Sequence, residues 1–407
     1  MHGWEDTKMT AIDTGTTTPL APKLPFDVAL LDRLLEEAGI DLLLVNSKHN
    51  IQYLTGGHRF FFHDYADAVG VSRYLPILIY PRGGASSSVY VANPMERYER
   101  DNGKFWMTNY DLSVWGTVDA AKAAIAQIQK LGGSRQRIGI EEAFLPADAY
   151  QLLRNAFPES SFVEAHFPLE RLRAVKSPAE LETLHSASER VADAMLTVFA
   201  SARPGMTKQD LVDRLRREEV NRDLVFEYCL ITAGTSRNRA PSDQILQEGD
   251  IFSLDSGGNF RGYIGDICRM GILGEPDAEL VDILGEIDAI QQAARRPIRA
   301  GTLGRDIFVE PRKMIAASQH AANLEFVAHG MGLVTHEAPR LTDRAPQRYP
   351  GYDADLPLRS GMVISIETTL GHPRRGFVKL EDTVAVTDIG CVAYGDSGRG
   401  WNRAGGR

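Results

Sequence analysis

Acidic side chains set into apolar, strand-like runs constrain this chain most, because a buried carboxylate has to be paired, protonated or bound to a cation. Asp255 closes the run IFSLD, and Asp266 follows eleven residues later, across a glycine-rich turn that lets the chain double back. Glu367 closes GMVISIE, and Glu381 stands in FVKLEDTVAV, where alternation with apolar neighbours points its carboxylate inward. His329, in FVAHGMGLVTHEAP, adds an imidazole beside glycines that permit close backbone approach. Taken singly, each acid is an ordinary cap, turn residue or salt-bridge partner, and His329 an ordinary interior histidine. The set carries the argument: all five stand at or near strand-like runs between positions 255 and 381, and a bound cation is the usual way to hold such groups together.

The remainder of the chain divides into two patterns. From Asp27, DVALLDRLLEEAG has helical apolar spacing and a glycine stop, and DLLLVNS reads as a buried strand. Strand-like YLPILIYPRGG, SSVYVANP and RIGIEE then alternate with amphipathic VDAAKAAIAQIQKLGG and PADAYQLLRNAF, which predicts an α/β domain over 26–168. A long helix follows, with Ser177 as N-cap, Pro178 at its first position and Glu180 completing a capping box. Beyond it, strand pairs broken by glycine turns are interleaved with helices, which predicts an α+β domain over 169–407. The Thr-, Gly- and Pro-rich stretch 1–25 reads as a flexible tail, with Met9 an alternative start.

Composition excludes other classes. With 45 Lys and Arg against 54 Asp and Glu, the chain carries a formal charge of -9, and its basic residues are scattered rather than gathered into a phosphate-neutralising face. No nucleic-acid partner is expected. Three distant cysteines form no CxxC pair and read as reduced core thiols; no apolar run is long enough to span a bilayer, and the first twenty residues lack a secretion signal. No membrane association and a cytoplasmic location are expected.

The motifs LDSGGNFRGYIGD, AHGMGLVTHEAP, GMVISIE and LEDTVAVT occur in an order and spacing that resemble the pita-bread metallopeptidases: methionine aminopeptidase, aminopeptidase P, prolidase and the metal-free creatinase. DLLLVNSKHNIQYLTG resembles the strand and turn of the amino-terminal domain in the prolidase and creatinase branch, and RLRAVKSPAELETLHSASERVADAM its interdomain helix. The resemblance implies a pita-bread catalytic domain preceded by a creatinase-type α/β domain, in a homodimer. It implies that Asp255 chelates one metal, that Asp266 and Glu381 bridge two, and that His329 and Glu367 complete the second. Two divalent ions roughly 3.5 to 4 Å apart would then share a bridging hydroxide for hydrolysis of a short peptide, nominally an Xaa-Pro dipeptide or aminopeptidase substrate. Oxygen-rich ligation with one imidazole favours manganese, with iron, cobalt or zinc as alternatives. Glu367 would also shuttle protons, and His336, seven residues after His329, would hydrogen-bond the substrate or its tetrahedral intermediate.

Three substrate-side positions depart from the family pattern. Asn238 replaces a histidine seventeen residues ahead of the first ligand, Glu325 replaces one four residues before His329, and Lys379 stands where an arginine commonly supports the site. An amide cannot become cationic, and lysine keeps arginine's charge without its bidentate fork. Arg237 and Arg239, flanking Asn238, read as solvated loop residues, with supply of the missing positive charge as the alternative. The aromatic segment 56–76 reads as a substrate-selecting lid or a dimer contact, and YGDSGRGWNRAGGR at the carboxy terminus has no evident role. Two alternatives therefore stay open: a creatinase-like hydrolase or lyase of a small non-peptide metabolite on the same metal site, and a pita-bread binding module without catalysis.

Overall fold

The computed structural model describes residues 24–68, 70–133, 136–342 and 350–404. Most of the expected amino-terminal tail, up to residue 23, lies outside them. No helix among the described residues is long and apolar enough to cross a membrane.

Among the described residues, fourteen strands form two sheets: β1 (Leu42–Val45), β2 (Ile77–Pro81), β3 (Val89–Ala92), β4 (Asn109–Leu112), β5 (Arg137–Ile140) and β6 (Ser161–Glu164) in the first; β7 (Val225–Ala233), β8 (Ile251–Phe260), β9 (Tyr263–Ile272), β10 (Leu324–Gly330), β11 (Val363–His372), β12 (Gly376–Val386), β13 (Cys391–Tyr394) and β14 (Asn402–Arg403) in the second. The first sheet runs β4-β3-β2-β1-β5-β6. Its centre, β1, is apolar at every position because both faces are covered: Leu43 and Val45 enter one core, Leu42 and Leu44 the other. Strand β1 pairs antiparallel with β2 and parallel with β5, so the α/β reading holds for a mixed sheet.

Two local expectations shift. The segment after β1, read as a turn, is a helix, Lys48–Leu54, capped by the Ser47 side chain. The helix His166–Arg173 sends Leu169 and Leu172 into the amino-terminal core, so that core continues past residue 168. The long helix then runs Pro178–Ser201 with the capping box of Ser177 and Glu180 formed as expected.

In the second domain, β10-β11-β12 and β9-β8-β7 are two antiparallel sets that meet along β12 and β9 at one aligned pair, Glu381 opposite Cys268. The helix Pro178–Ser201 lies against β9 at Gly265, where an added Cβ would stand 2.7 Å from the Ala187 and Ser188 backbone. The helix Ala278–Arg295 covers the other set through Ile283, Ile287 and Ile290, in a core shared with Ile364, Ile366 and Leu380. All three cysteines are free, Cys229 and Cys268 buried and Cys391 partly so.

The carboxy-terminal segment acquires a structural role. Arg399 reaches the buried Asp382 at 2.5 Å, Trp401 Nε1 donates to the Leu280 carbonyl at 3.0 Å, and β14 pairs with β9. Within 56–76, His58 and Tyr74 both bond Glu96, which is fully buried in the amino-terminal domain, whereas Phe61 and Tyr65 are exposed.

Candidate metal centre

The sheet register brings the candidate ligands together. Asp255 on β8 faces Cys268 on β9, Cys268 faces Glu381 on β12, and Glu381 faces Glu367 on β11, so the four form one row across the seam. Two positions along and on the same face, His329 on β10 aligns with Ser365 on β11, while Asp266 on β9 aligns with Gly257 on β8. Two positions the other way, Lys379, Thr369 and Glu325 align as a third row. A period of two thus places all five candidate ligands, with Lys379 and Glu325, on one face.

Ligand atoms of Asp266, His329 and Glu381 lie within 4.8 Å of one another, and all three residues are buried. His329 Nε2 is 2.9 Å from Glu367 Oε1. Lys379 sits among the acids: its ammonium lies 2.7 Å from Asp255 Oδ2, 2.6 Å from Glu367 Oε2 and 2.7 Å from Glu381 Oε2, with the side chain only 4% exposed. Arg239 donates to the same Asp255 oxygen and stacks its guanidinium over Phe377 at 5.2 Å. All of these except the fully buried His329 line a cavity of about 860 Å³, to which Tyr228, Glu325, Thr335 and His336 also contribute.

Electrostatics follow from burial and crowding. Desolvation, then the neighbouring charges of Glu381 and Asp255, push the Asp266 carboxyl well above its usual range. Burial, followed by Glu367, pushes Glu381 up to about 7. Glu367 goes the other way: burial opposes its ionisation, but Lys379 and His329 overcome that and hold it well below the usual range. Burial lowers His336 to about 3, with His329 stacked on it at 3.7 Å, so the imidazole is neutral, and its Nδ1 is buried without a hydrogen-bond partner among the described residues. Crowded, buried oxygens with one imidazole are the donor set of a divalent cation, and ionisation of Asp266 and Glu381 on binding would relieve the unfavourable burial of uncompensated acids. The residues fit a metal.

Neighbours that sequence reading passed over hold these groups in place. Tyr228 OH donates to Asp266 Oδ1 at 2.7 Å, and Ser365 Oγ donates to Glu381 Oε1 at 2.8 Å. Gly257 was the available signal for Tyr228, since a Cβ there would stand 2.4 Å from the phenol ring. His336 is fixed from the amino-terminal side: the next residue, Glu337, is buried against Arg173 at 2.9 Å and Lys176 at 2.9 Å, and Arg173 also donates to Asn50.

The substrate-side candidates part company. Glu325, His336 and Lys379 line the cavity, but Asn238 is not among its lining residues. The Asn238 side chain is exposed and accepts a bond from Ala240 N at 3.0 Å, closing its own turn. Arg239, expected to be a solvated loop arginine, points into the site, while Arg237 bonds the Gly371 carbonyl.

Residues 182–388 match Metallopeptidase family M24, and residues 28–175 match the Creatinase/Prolidase N-terminal domain. An uncharacterized peptidase of Bacillus subtilis is 24% identical over 368 residues, covering 88% of this chain and 95% of that protein. A Xaa-Pro dipeptidase of Pyrococcus horikoshii is 24% identical over 364 residues, covering 88% of this chain and 93% of that protein. In fold, the chain is similar to the solved structure of a Xaa-Pro dipeptidase from Bacillus anthracis, with a TM-score of 0.76, 21% identity, and coverage of 92% of this chain and 98% of that one.

Proposed function

Because the chain belongs to metallopeptidase family M24, with a pita-bread catalytic domain behind a creatinase-type amino-terminal domain, we propose that it is a metal-dependent hydrolase of short peptides, nominally of the Xaa-Pro bond. One observation carries the reading: Asp266, Glu367 and Glu381, which line a cavity of about 860 Å³, converge on paired strands with the buried His329. Divalent metal ions, implied by the family, would be held by these residues and would supply Lewis-acid polarisation of the scissile carbonyl and a water of lowered pKa. Glu367, ionised and at the cavity, accepts a proton from the attacking water and returns it to the leaving nitrogen. Neutral His336 donates a hydrogen bond to the oxygen that gains negative charge in the transition state. Arg239, which lies beside the acids over Phe377, offers a guanidinium for a substrate carboxylate.

A second reading, hydrolysis of a small non-peptide amide, draws on Asn238, which turns into its own loop where the resemblance places a substrate-facing histidine. One assay separates the two. Full-length protein reconstituted with Mn²⁺ is expected to release free proline from Xaa-Pro dipeptides or the first residue from longer Xaa-Pro peptides, and to lose that activity with a chelator. Absence of turnover on both, with metal demonstrably bound, removes the peptidase reading and leaves the second.

A further inference from the structure

Asp255 stands apart from the other four candidate ligands. It belongs to neither group of metal-compatible side chains found among the described residues, which are Asp266 with His329 and Glu381, and His329 with His336 and Glu367. Its Oδ2 is instead taken by two cationic side chains, Lys379 at 2.7 Å and Arg239. The Lys379 ammonium has three hydrogens and three carboxylate partners, Asp255, Glu367 and Glu381, all within 2.7 Å.

Lysine suits that place: an ammonium is a compact point charge on a flexible stem, able to sit among several oxygens as a small inorganic cation does. Lys379 reaches this place because it is two residues from Glu381 on β12 and so projects from the same face. The charges agree. Asp255, Asp266, Glu367 and Glu381 contribute four negative charges when ionised, Lys379 and Arg239 return two, and the balance is the charge of a single divalent ion. A second ion would add positive charge to a buried site and, at Asp255, would have to share an oxygen already held by two cationic side chains, Lys379 and Arg239.

We propose that Lys379 is the resident cation of the Asp255 half of the site, so that this chain binds one divalent ion, at Asp266, His329, Glu367 and Glu381, in place of two. The inference rests on the metal-dependent reading above and changes what the first ligand of the motif does: Asp255 positions Lys379 and does not ligate.

The test is stoichiometry. Full-length protein, stripped with a chelator and saturated with Mn²⁺, is passed through a desalting column and its manganese is counted by mass spectrometry, with paramagnetic resonance distinguishing isolated from spin-coupled Mn²⁺. The expected result is one isolated Mn²⁺ per chain, rising to two in Lys379→Met. Because Lys379→Met leaves buried acids uncompensated and can unfold, Asp255→Asn provides a second measurement: it is expected to keep the single ion with a Kd within about 3-fold of wild type, a shift of about 0.7 kcal/mol or less. Asp266→Asn is expected to lose the ion. Two Mn²⁺ per wild-type chain, or loss of the ion in folded Asp255→Asn, overturns the inference while leaving metal dependence standing. No ion in the saturated wild type overturns both.

Discussion

Glu219 carries a pH dependence that can be isolated by one substitution. It lies on the helix Lys208–Val220, wholly shielded from solvent behind β8, and its Oε2 has no hydrogen-bond partner among the described residues. Its Oε1 is 2.8 Å from Ser256 Oγ, and the same hydroxyl is 2.6 Å from the Tyr228 carbonyl. A serine hydroxyl has one proton, so if it is donated to the carbonyl, the contact with Glu219 requires the acid to carry a proton and act as donor. Burial accordingly raises the Glu219 carboxyl from 4.5 to about 7. The folded value lies above the unfolded one, so stability from the neutral acid is fully present below about pH 4.5 and is lost as pH rises through 7. The difference of roughly 2.5 pH units corresponds to about 3 kcal/mol. Glu219→Gln keeps the shape and the donor while removing the titration. Melting curves of the two proteins between pH 4 and 8.5 are expected to coincide near pH 4, diverge progressively between about pH 4.5 and 7 and level off above that, with the variant more stable by about 3 kcal/mol at pH 8.5, or several degrees for a domain of this size. Parallel curves across that range, or a wild type that is the more stable protein at pH 8.5, would refute the reasoning.

Three further outcomes are expected. Glu337→Gln leaves Arg173 and Lys176 buried without their shared carboxylate, and should cost about 3 to 5 kcal/mol; a loss below about 1 kcal/mol in thermal or denaturant unfolding would mean that the amino-terminal domain does not hold the His336 loop as described. Saturating the site with Mn²⁺ at about 100 times its Kd should stabilise the native chain by about 2.7 kcal/mol, a gain abolished by a chelator or by Asp266→Asn and readable in a melting assay. His336→Gln should lower kcat by roughly 10² to 10³ on whichever substrate is turned over while leaving manganese content at the wild-type level, since His336 is assigned to the transition-state oxygen; an unchanged kcat would remove it from that role.

The family and its fold were legible because the informative signal is local: an acid in an apolar strand, a glycine turn, a histidine between glycines. Alternation with period two even puts Lys379 beside Glu381 on one face without any structure. What Lys379 does there was not legible, because it depends on Asp255 and Glu367, which stand on different strands and approach only through pairings of β8, β9, β12 and β11. The decisive contact is the least visible in sequence, one aligned pair, Glu381 with Cys268, between two strand sets that share a core at Ile251, Met270 and Ile272. Arg239 was misread for a related reason. A loop arginine is ordinarily solvated, and only the fold shows that this loop crosses the cavity with Phe377 beneath it and Asp255 within reach.

The carboxy-terminal segment extends the same logic to the far side of the sheet. Asp382 follows Glu381 directly, so the pleat turns it to the opposite face, where it is buried against Arg269 at 3.1 Å, Arg295 at 3.1 Å and Arg399 at 2.5 Å. Those guanidinium groups hold the Asp382 carboxyl down at about 2, against the pull of burial. Arg399 comes from the glycine-rich tail, and Arg269 also donates to the Glu381 backbone carbonyl at 2.7 Å. One strand therefore carries two adjacent acids with opposite surroundings: Glu381 among like charges and Lys379, Asp382 among arginines. The ionised Asp382 fixes the backbone on which Glu381 stands, which is why a tail without catalytic residues belongs to the architecture of the site.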